Sequence, residues 1–151
     1  MIRANRPEDL SSLIGHTATG AWLTVSQERI DGFADVTEDH QWIHVDADRA
    51  ASGPYGTTIA HGLLTLSLIP RLIQDLVEVG NVAAVVNYGV DGVRFIAPVP
   101  SGSRVRAVTE LTAAEATPRG VRARLKNTVE LDGTDRPALV AETIHLFVPS
   151  S

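Results

Sequence analysis

Between Gly62 and Val148 the hydrophobic pattern changes period once, and that change limits the folds open to the chain. From Gly62 to Val79 apolar residues are dense at 63, 64, 66, 68 and 69, then recur at helical spacing at 72, 73, 76 and 77. The first half is apolar nearly all round, which predicts a helix wrapped by other structure. Pro70 lacks the N–H of one helical hydrogen bond and predicts a kink. After Gly80 the pattern is that of strands. Val82–Tyr88 and Val93–Ile96 are short valine-containing runs, Arg104–Ala113 puts residues 105, 107, 109 and 111 on one side, and residues 121–126 alternate strictly. Asp132-Gly133 supplies turn chemistry before a last strand near Leu139–Val148. Three long strands joined by short turns predict an antiparallel sheet, and the economical packing curls it around the one long central helix. The fold class expected is α+β.

The first third reads as short helices. Glu8–Ile14 predicts one, ended by Gly15. Ser26 can cap a second that runs through Ile30, Phe33 and Ala34 and delivers the chain into Thr37-Glu38-Asp39. Asp46 can cap a third, Ala47–Ser52, closed by Gly53-Pro54.

A chain of 151 residues is long enough to bury a core without staples, and residues 1–151 are expected to form one domain. The absence of cysteine excludes disulfides, thiolate metal sites and cysteine nucleophiles. A net charge of −5 with no dense basic run argues against nucleic acid as a partner. The longest apolar stretch, Leu63–Ile69, is too short to span a membrane, and the first residues lack the apolar core of a signal peptide. A cytoplasmic protein that uses neither membrane nor nucleic acid is the expectation.

Chemistry concentrates in Asp39-His40-Gln41-Trp42-Ile43-His44 and in Ala60-His61-Gly62 at the head of the apolar helix. A carboxylate and an imidazole five residues apart can share the activation of a water. The first N–H groups of a helix have no intrahelical partner and can receive developing negative charge. A water-adding or water-removing enzyme is therefore a testable idea. Each residue also has a plainer role open to it: Asp39 as a turn residue, His44 as a packed core histidine, Gly62 as a site of close packing. His61 reads as an orienter of the loop, His40 as a solvated neighbour, and His16 and His145 as surface or sheet residues. Asp39, His40 and His44 have the types of metal ligands, but a third or fourth strong ligand is missing apart from His61, so no metal is expected. Gly53–Thr58 lacks the lysine of a phosphate loop, and no nucleophile elbow is present.

These residues resemble the MaoC-like dehydratases, also called (R)-specific enoyl-CoA hydratases, whose signature pairs Asp-x-Asn-Pro-x-His with a later His-Gly. Asp39, Ile43, His44 and Ala60-His61-Gly62 match, and Arg94-Phe95, Pro98-Val99 and Gly102 are similar to the passage that follows the helix in that family. Gln41 and Trp42 stand where the family usually has Asn and Pro, a variant similar to nodulation-protein-N-like members. The resemblance implies a hotdog fold, with the sheet wrapped around the central helix and two sheets paired edge to edge in a homodimer. It further implies that Asp39 and His44 activate water for syn addition to a trans-2-enoyl thioester, or remove it from an (R)-3-hydroxyacyl thioester. Gly62 N–H would hold the thioester oxygen, with Gln41 and His61 in support. No cofactor is implied; the partner is an acyl-CoA or acyl-carrier-protein thioester. Arginines 94, 104, 106, 119, 122 and 124 are candidates for the coenzyme A phosphates, although solvated strand faces are the preferred explanation for most of them and none is singled out as a binder. Leu63, Leu64, Leu66 and Leu68 belong to the core or to an acyl tunnel, with the core preferred. Thioester hydrolysis on the same fold, or acyl-thioester binding without catalysis, are the rival functions.

Overall fold

The computed structural model describes residues 1–150. Two local signals act where the sequence places them. Ser26 Oγ accepts from Arg29 N at 3.3 Å and caps helix α1, Gln27–Thr37. Asp46 Oδ1 accepts from Arg49 N at 3.0 Å and caps α3, Ala47–Ala51. Between them lies one turn that periodicity does not signal, α2, Trp42–Val45. Residues Pro7–Leu13 form a 3-10 helix rather than an α-helix.

Strands β6 (Arg104–Thr117), β7 (Gly120–Leu131) and β8 (Leu139–Pro149) are antiparallel neighbours, with β5 (Val82–Phe95) outside β8. Beyond β6 lie the short strands β2 (Thr17–Thr19) and β3 (Leu23–Thr24). Alternation along β6 buries Val105, Ala107, Thr109 and Leu111 completely, as the period-2 pattern requires. The sheet closes over α4 (Gly62–Ser67) and α5 (Ile69–Ile73), whose Leu64, Leu68, Ile69, Leu72 and Ile73 join one apolar cluster with Leu111, Leu125, Val129 and Leu139. The wrapped hotdog arrangement is thus present.

Three details differ from the sequence reading. The central helix is shorter than expected and breaks at Leu68, because Pro70 has no N–H to return to Leu66. It stops at Ile73, and Val77–Val79 forms strand β4, parallel to β1 (Ile2–Ala4), with Arg3 Nε and Nη2 both donating to Glu78 Oε2. The two valines flanking an exposed Glu78 suit a strand once an N-terminal partner is beside them. The two short runs after Gly80 are one continuous strand, β5. Register shifts at Asn87/Gly89 and Asp91/Arg94 absorb the glycines that lie between the two runs. Leu63, finally, is 60% exposed and not in the core. Among the described residues no helix is long and apolar enough to cross a membrane.

Candidate active site

Helix α1 ends in Glu38, held in the left-handed region (φ 61°). The reversal turns Asp39 back toward the start of α4. There the backbone carbonyl of Asp39 accepts from His61 Nε2–H at 2.9 Å, and its carboxylate Oδ2 lies 4.0 Å from the same nitrogen. The Asp39 side chain remains half exposed.

His44, on α2, is buried, and its ring stacks on that of His61 at 3.8 Å between centroids and 24° between planes. Phe33 of α1 tilts against His61 from another side, 4.9 Å away. His44 Nδ1 lies 2.6 Å from the Ile59 carbonyl. A carbonyl only accepts, so Nδ1 carries the proton and Nε2 keeps its lone pair. Burial is the largest cause pushing His44 below the ordinary histidine value of 6.5; the neighbouring His61 pushes the same way, and the Ile59 carbonyl and Asp39 oppose them. The imidazole is therefore held neutral, in the tautomer that can take a proton. Side-chain atoms of Asp39, His44 and His61 all lie within 4.8 Å of one another. The same three residues have the types of a metal site, and each imidazole bonds a backbone carbonyl through one nitrogen while its other nitrogen stays free. His61 Nδ1 is sealed from solvent without a partner among the described residues.

A cavity of about 370 Å³ opens beside this cluster, lined by His44, Tyr55, Gly62, Leu63, Phe95 and Val99. Gly62 is the first residue of α4, so its N–H has no intrahelical acceptor. A Cβ at Gly62 would stand 2.9 Å from the Phe95 ring, which shows how closely the cavity wall approaches the backbone here. Gln41 is exposed; its N–H lies 3.4 Å from Asp39 Oδ1, and its side chain makes no hydrogen bond among the described residues. His40 points away and bonds Asp35 Oδ1 at 2.9 Å, which raises its pKa.

One support of the His44 turn, through Gln27, was not visible in the sequence. Gln27, the first residue of α1, donates from Nε2 to the His44 carbonyl at 2.7 Å and accepts from Thr58 Oγ1 at 2.5 Å. It thereby ties α1 to both segments that hold His44, since Ile59, which follows Thr58, bonds the imidazole. Only the fold brings residues 27, 44 and 58 together, and no local pattern marks them. Gln27→Met, which removes both bonds at similar volume, is expected to cost about 1 kcal/mol, read as a lower denaturant midpoint at unchanged m-value. Trp42, in place of the usual proline, is held between the Arg49 guanidinium, 4.3 Å above its ring, and Gly53, whose missing side chain admits the indole. Packing here replaces the φ restriction that proline imposes.

The candidate phosphate-binding arginines are mostly committed elsewhere. Arg104 pairs with Asp132, Arg106 with Glu130, Arg122 with Glu115, and Arg124 with Asp91 and Glu142. Arg106, Arg122 and Arg124 pair across strands, and Arg104 pairs with the turn that follows β7.

The family model described as MaoC like domain matches residues 10–131. The chain belongs to the MaoC-like dehydratase family. Among curated relatives, 3-hydroxyacyl-thioester dehydratase Z of Mycobacterium tuberculosis is 50% identical over 142 residues, covering 93% of this chain and 94% of the relative. Nodulation protein N of Rhizobium leguminosarum is 43% identical over 145 residues, covering 92% and 89%. Among solved structures, the R-hydratase PhaJ1 of Pseudomonas aeruginosa superposes with a TM-score of 0.73 at 25% identity, covering 91% of this chain and 83% of that one. An Archaeoglobus protein described as a monoamine oxidase regulatory protein covers both chains completely at a TM-score of 0.80 and 23% identity, which speaks for the fold alone.

Proposed function

We propose that this MaoC-like protein is a hydratase/dehydratase that interconverts trans-2-enoyl and (R)-3-hydroxyacyl thioesters in the cytoplasm, with Asp39 and His44 as its acid–base pair. The observation that carries the reading is the clustering of Asp39 with a neutral, Nε2-basic His44, which lines one cavity together with Gly62. In hydration, Asp39 and the His44 Nε2 lone pair hold a water. One of its protons passes to the pair as the oxygen bonds to C3, and the pair returns a proton to C2. Charge that builds on the thioester oxygen between these events is met by Gly62 N–H at the positive end of α4. Dehydration runs the same steps backwards. The 50%-identical relative bears a 3-hydroxyacyl-thioester dehydratase name, and a 3-hydroxybutyryl-CoA dehydratase of Methylorubrum extorquens is 37% identical over 115 residues, which supports an acyl thioester substrate linked to coenzyme A or a carrier protein.

The test is loss of enoyl-thioester absorbance with crotonyl-CoA, with the product's stereochemistry determined. A wild-type rate giving the (R)-3-hydroxy product supports the reading. Release of free coenzyme A instead would assign a thioesterase, and binding without turnover a non-catalytic acyl-binding protein. Because the base must be neutral and burial depresses its pKa, the acid limb of kcat/KM is expected below pH 6.5, with the rate falling as pH drops through the depressed His44 value. Stability has the same sign: a depressed histidine contributes its full share above about 6.5 and loses it as pH falls through the folded value.

The reading includes a homodimer. Strand β5 is the outer strand of the sheet and carries exposed Val85, Val86, Tyr88, Val90 and Phe95, the kind of long apolar edge that a second copy covers.

A further inference from the structure

Beyond the catalytic cavity, two more cavities follow along the same helix and the same edge strand. One, of about 370 Å³, lies against Leu66, Ser67, Ile69, Pro70 and Val90; the next, of about 340 Å³, against Ile73, Gln74, Val77 and Val85. The two share Pro70, Asn87 and His145. Gly62 and Pro70 are eight residues apart, roughly 12 Å along the helix axis and about the reach of an extended ten-carbon chain. The catalytic cavity reaches Leu63 and Thr65 and the next begins at Leu66, so an acyl chain that ran from Gly62 along this helix would meet apolar walls first and a polar pair afterwards.

That pair is built, not incidental. Asn87 and His145 are register partners across β5 and β8. Behind His145 runs a buried hydrogen-bond chain. Thr109 Oγ1 donates to Asn127 Oδ1 at 2.8 Å, and Asn127 Nδ2 donates to the Leu125 carbonyl and to Thr143 Oγ1, each at 2.9 Å. The Thr143 hydroxyl, having accepted from Asn127, has its own proton to place. His145 Nε2 at 2.9 Å is a better acceptor for it than the Leu125 carbonyl at 3.5 Å. His145 Nε2 then accepts, so the proton of the neutral ring is on Nδ1. No described residue partners that Nδ1, and unlike His61 Nδ1 it is not sealed away from solvent. Burial lowers the pKa of His145 and favours this neutral form. The Asn87 side chain likewise has no hydrogen-bond partner among the described residues.

We propose that Asn87 and His145 form a subsite for a hydrogen-bond-accepting oxygen, a hydroxyl or keto group, on the far end of the acyl chain. This rests on the acyl-thioester reading and adds its substrate class: an oxygenated medium-length acyl chain in preference to a plain one. A hydrocarbon end in the same place leaves the His145 Nδ1–H facing carbon, and a site built to bond a substrate oxygen discriminates against the analogue that lacks it.

The test compares trans-2-decenoyl-CoA with its ω-hydroxy derivative. Wild type is expected to favour the hydroxylated substrate by about tenfold or more in kcat/KM. Asn87→Leu and His145→Leu should each bring that ratio close to one, and His145→Gln should keep part of it. Because the readout is a ratio on one enzyme, a general loss of activity cancels, and exposed Asn87 can be replaced even if the buried His145 variant fails to fold. Equal rates on the two substrates in wild type, or a ratio that both leucine variants leave unmoved, would overturn the subsite. Binding of saturated decanoyl-CoA and ω-hydroxydecanoyl-CoA by calorimetry separates the two readings. A binding preference in a protein that hydrates no enoyl thioester would keep the subsite and overturn the hydratase assignment, whereas turnover without preference would do the reverse.

Discussion

Asp39→Asn is expected to lower the rate of enoyl-thioester hydration by about 10²–10⁴-fold, the usual contribution of a positioned acid–base group, and His44→Ala by a similar factor. The two are expected to be strongly non-additive, because each acts on the same water and removal of either disables the pair. Asparagine preserves the shape of Asp39 and its backbone carbonyl, so the bond from His61 Nε2 at 2.9 Å survives and only the charge is lost. Any fall in rate for that variant therefore reports chemistry and not a displaced loop. His44→Ala also removes a ring stacked on His61 and the 2.6 Å bond to the Ile59 carbonyl, so its kinetics need a melting curve beside them. The measurement is steady-state loss of crotonyl-CoA absorbance, with circular dichroism to show that each variant is folded. Equal rates in wild type and Asp39→Asn would remove Asp39 from the mechanism.

The largest effect on stability is expected far from this site. Gly120 begins β7 at φ 137°, where L side chains are strained. A Cβ there would stand 2.1 Å from the Phe147 carbonyl oxygen and 3.0 Å from its carbon. Both are backbone atoms of the neighbouring strand, so no side chain can swing aside. Gly120→Ala must either bend the β6–β7 turn or lift the start of β7 away from β8, and it is expected to cost about 3 kcal/mol. For a domain of this size that corresponds to a fall in Tm of roughly 6–12 °C in a thermal scan. A variant that melts within a degree or two of wild type would mean the turn relaxes at little expense.

Local chemistry in the sequence reached a good deal of the fold. Ser26 and Asp46 cap α1 and α3 because a short polar side chain followed by a helical run admits few other conformations. The period-2 pattern of β6 marked Val105, Ala107, Thr109 and Leu111 as the inner face, because alternate side chains on a strand must point to opposite sides. The spacing of Asp39, His44 and His61 around a helix start was likewise readable, since few chains carry those residue types in that order.

What stayed hidden depends on partners distant in sequence. Val77–Val79 read as the tail of a helix because nothing nearby announces that Ile2–Ala4 lies beside it. Gln27 carries no mark of its bond to the His44 carbonyl until α1 is packed against that turn. His145 read as an ordinary sheet residue, and only its place opposite Asn87, at the end of the Thr109–Asn127–Thr143 chain, distinguishes it. Sequence by itself determined the inner face of β6, where α1 and α3 begin, and which side chains are able to do acid–base chemistry, because these follow from short-range geometry and the residues' own chemistry. Tertiary structure alone decided which nitrogen of His44 carries the proton, which backbone carbonyl His61 holds, and what lines the path beyond Gly62. Each of those is a contact between segments whose separation along the chain leaves no periodic trace.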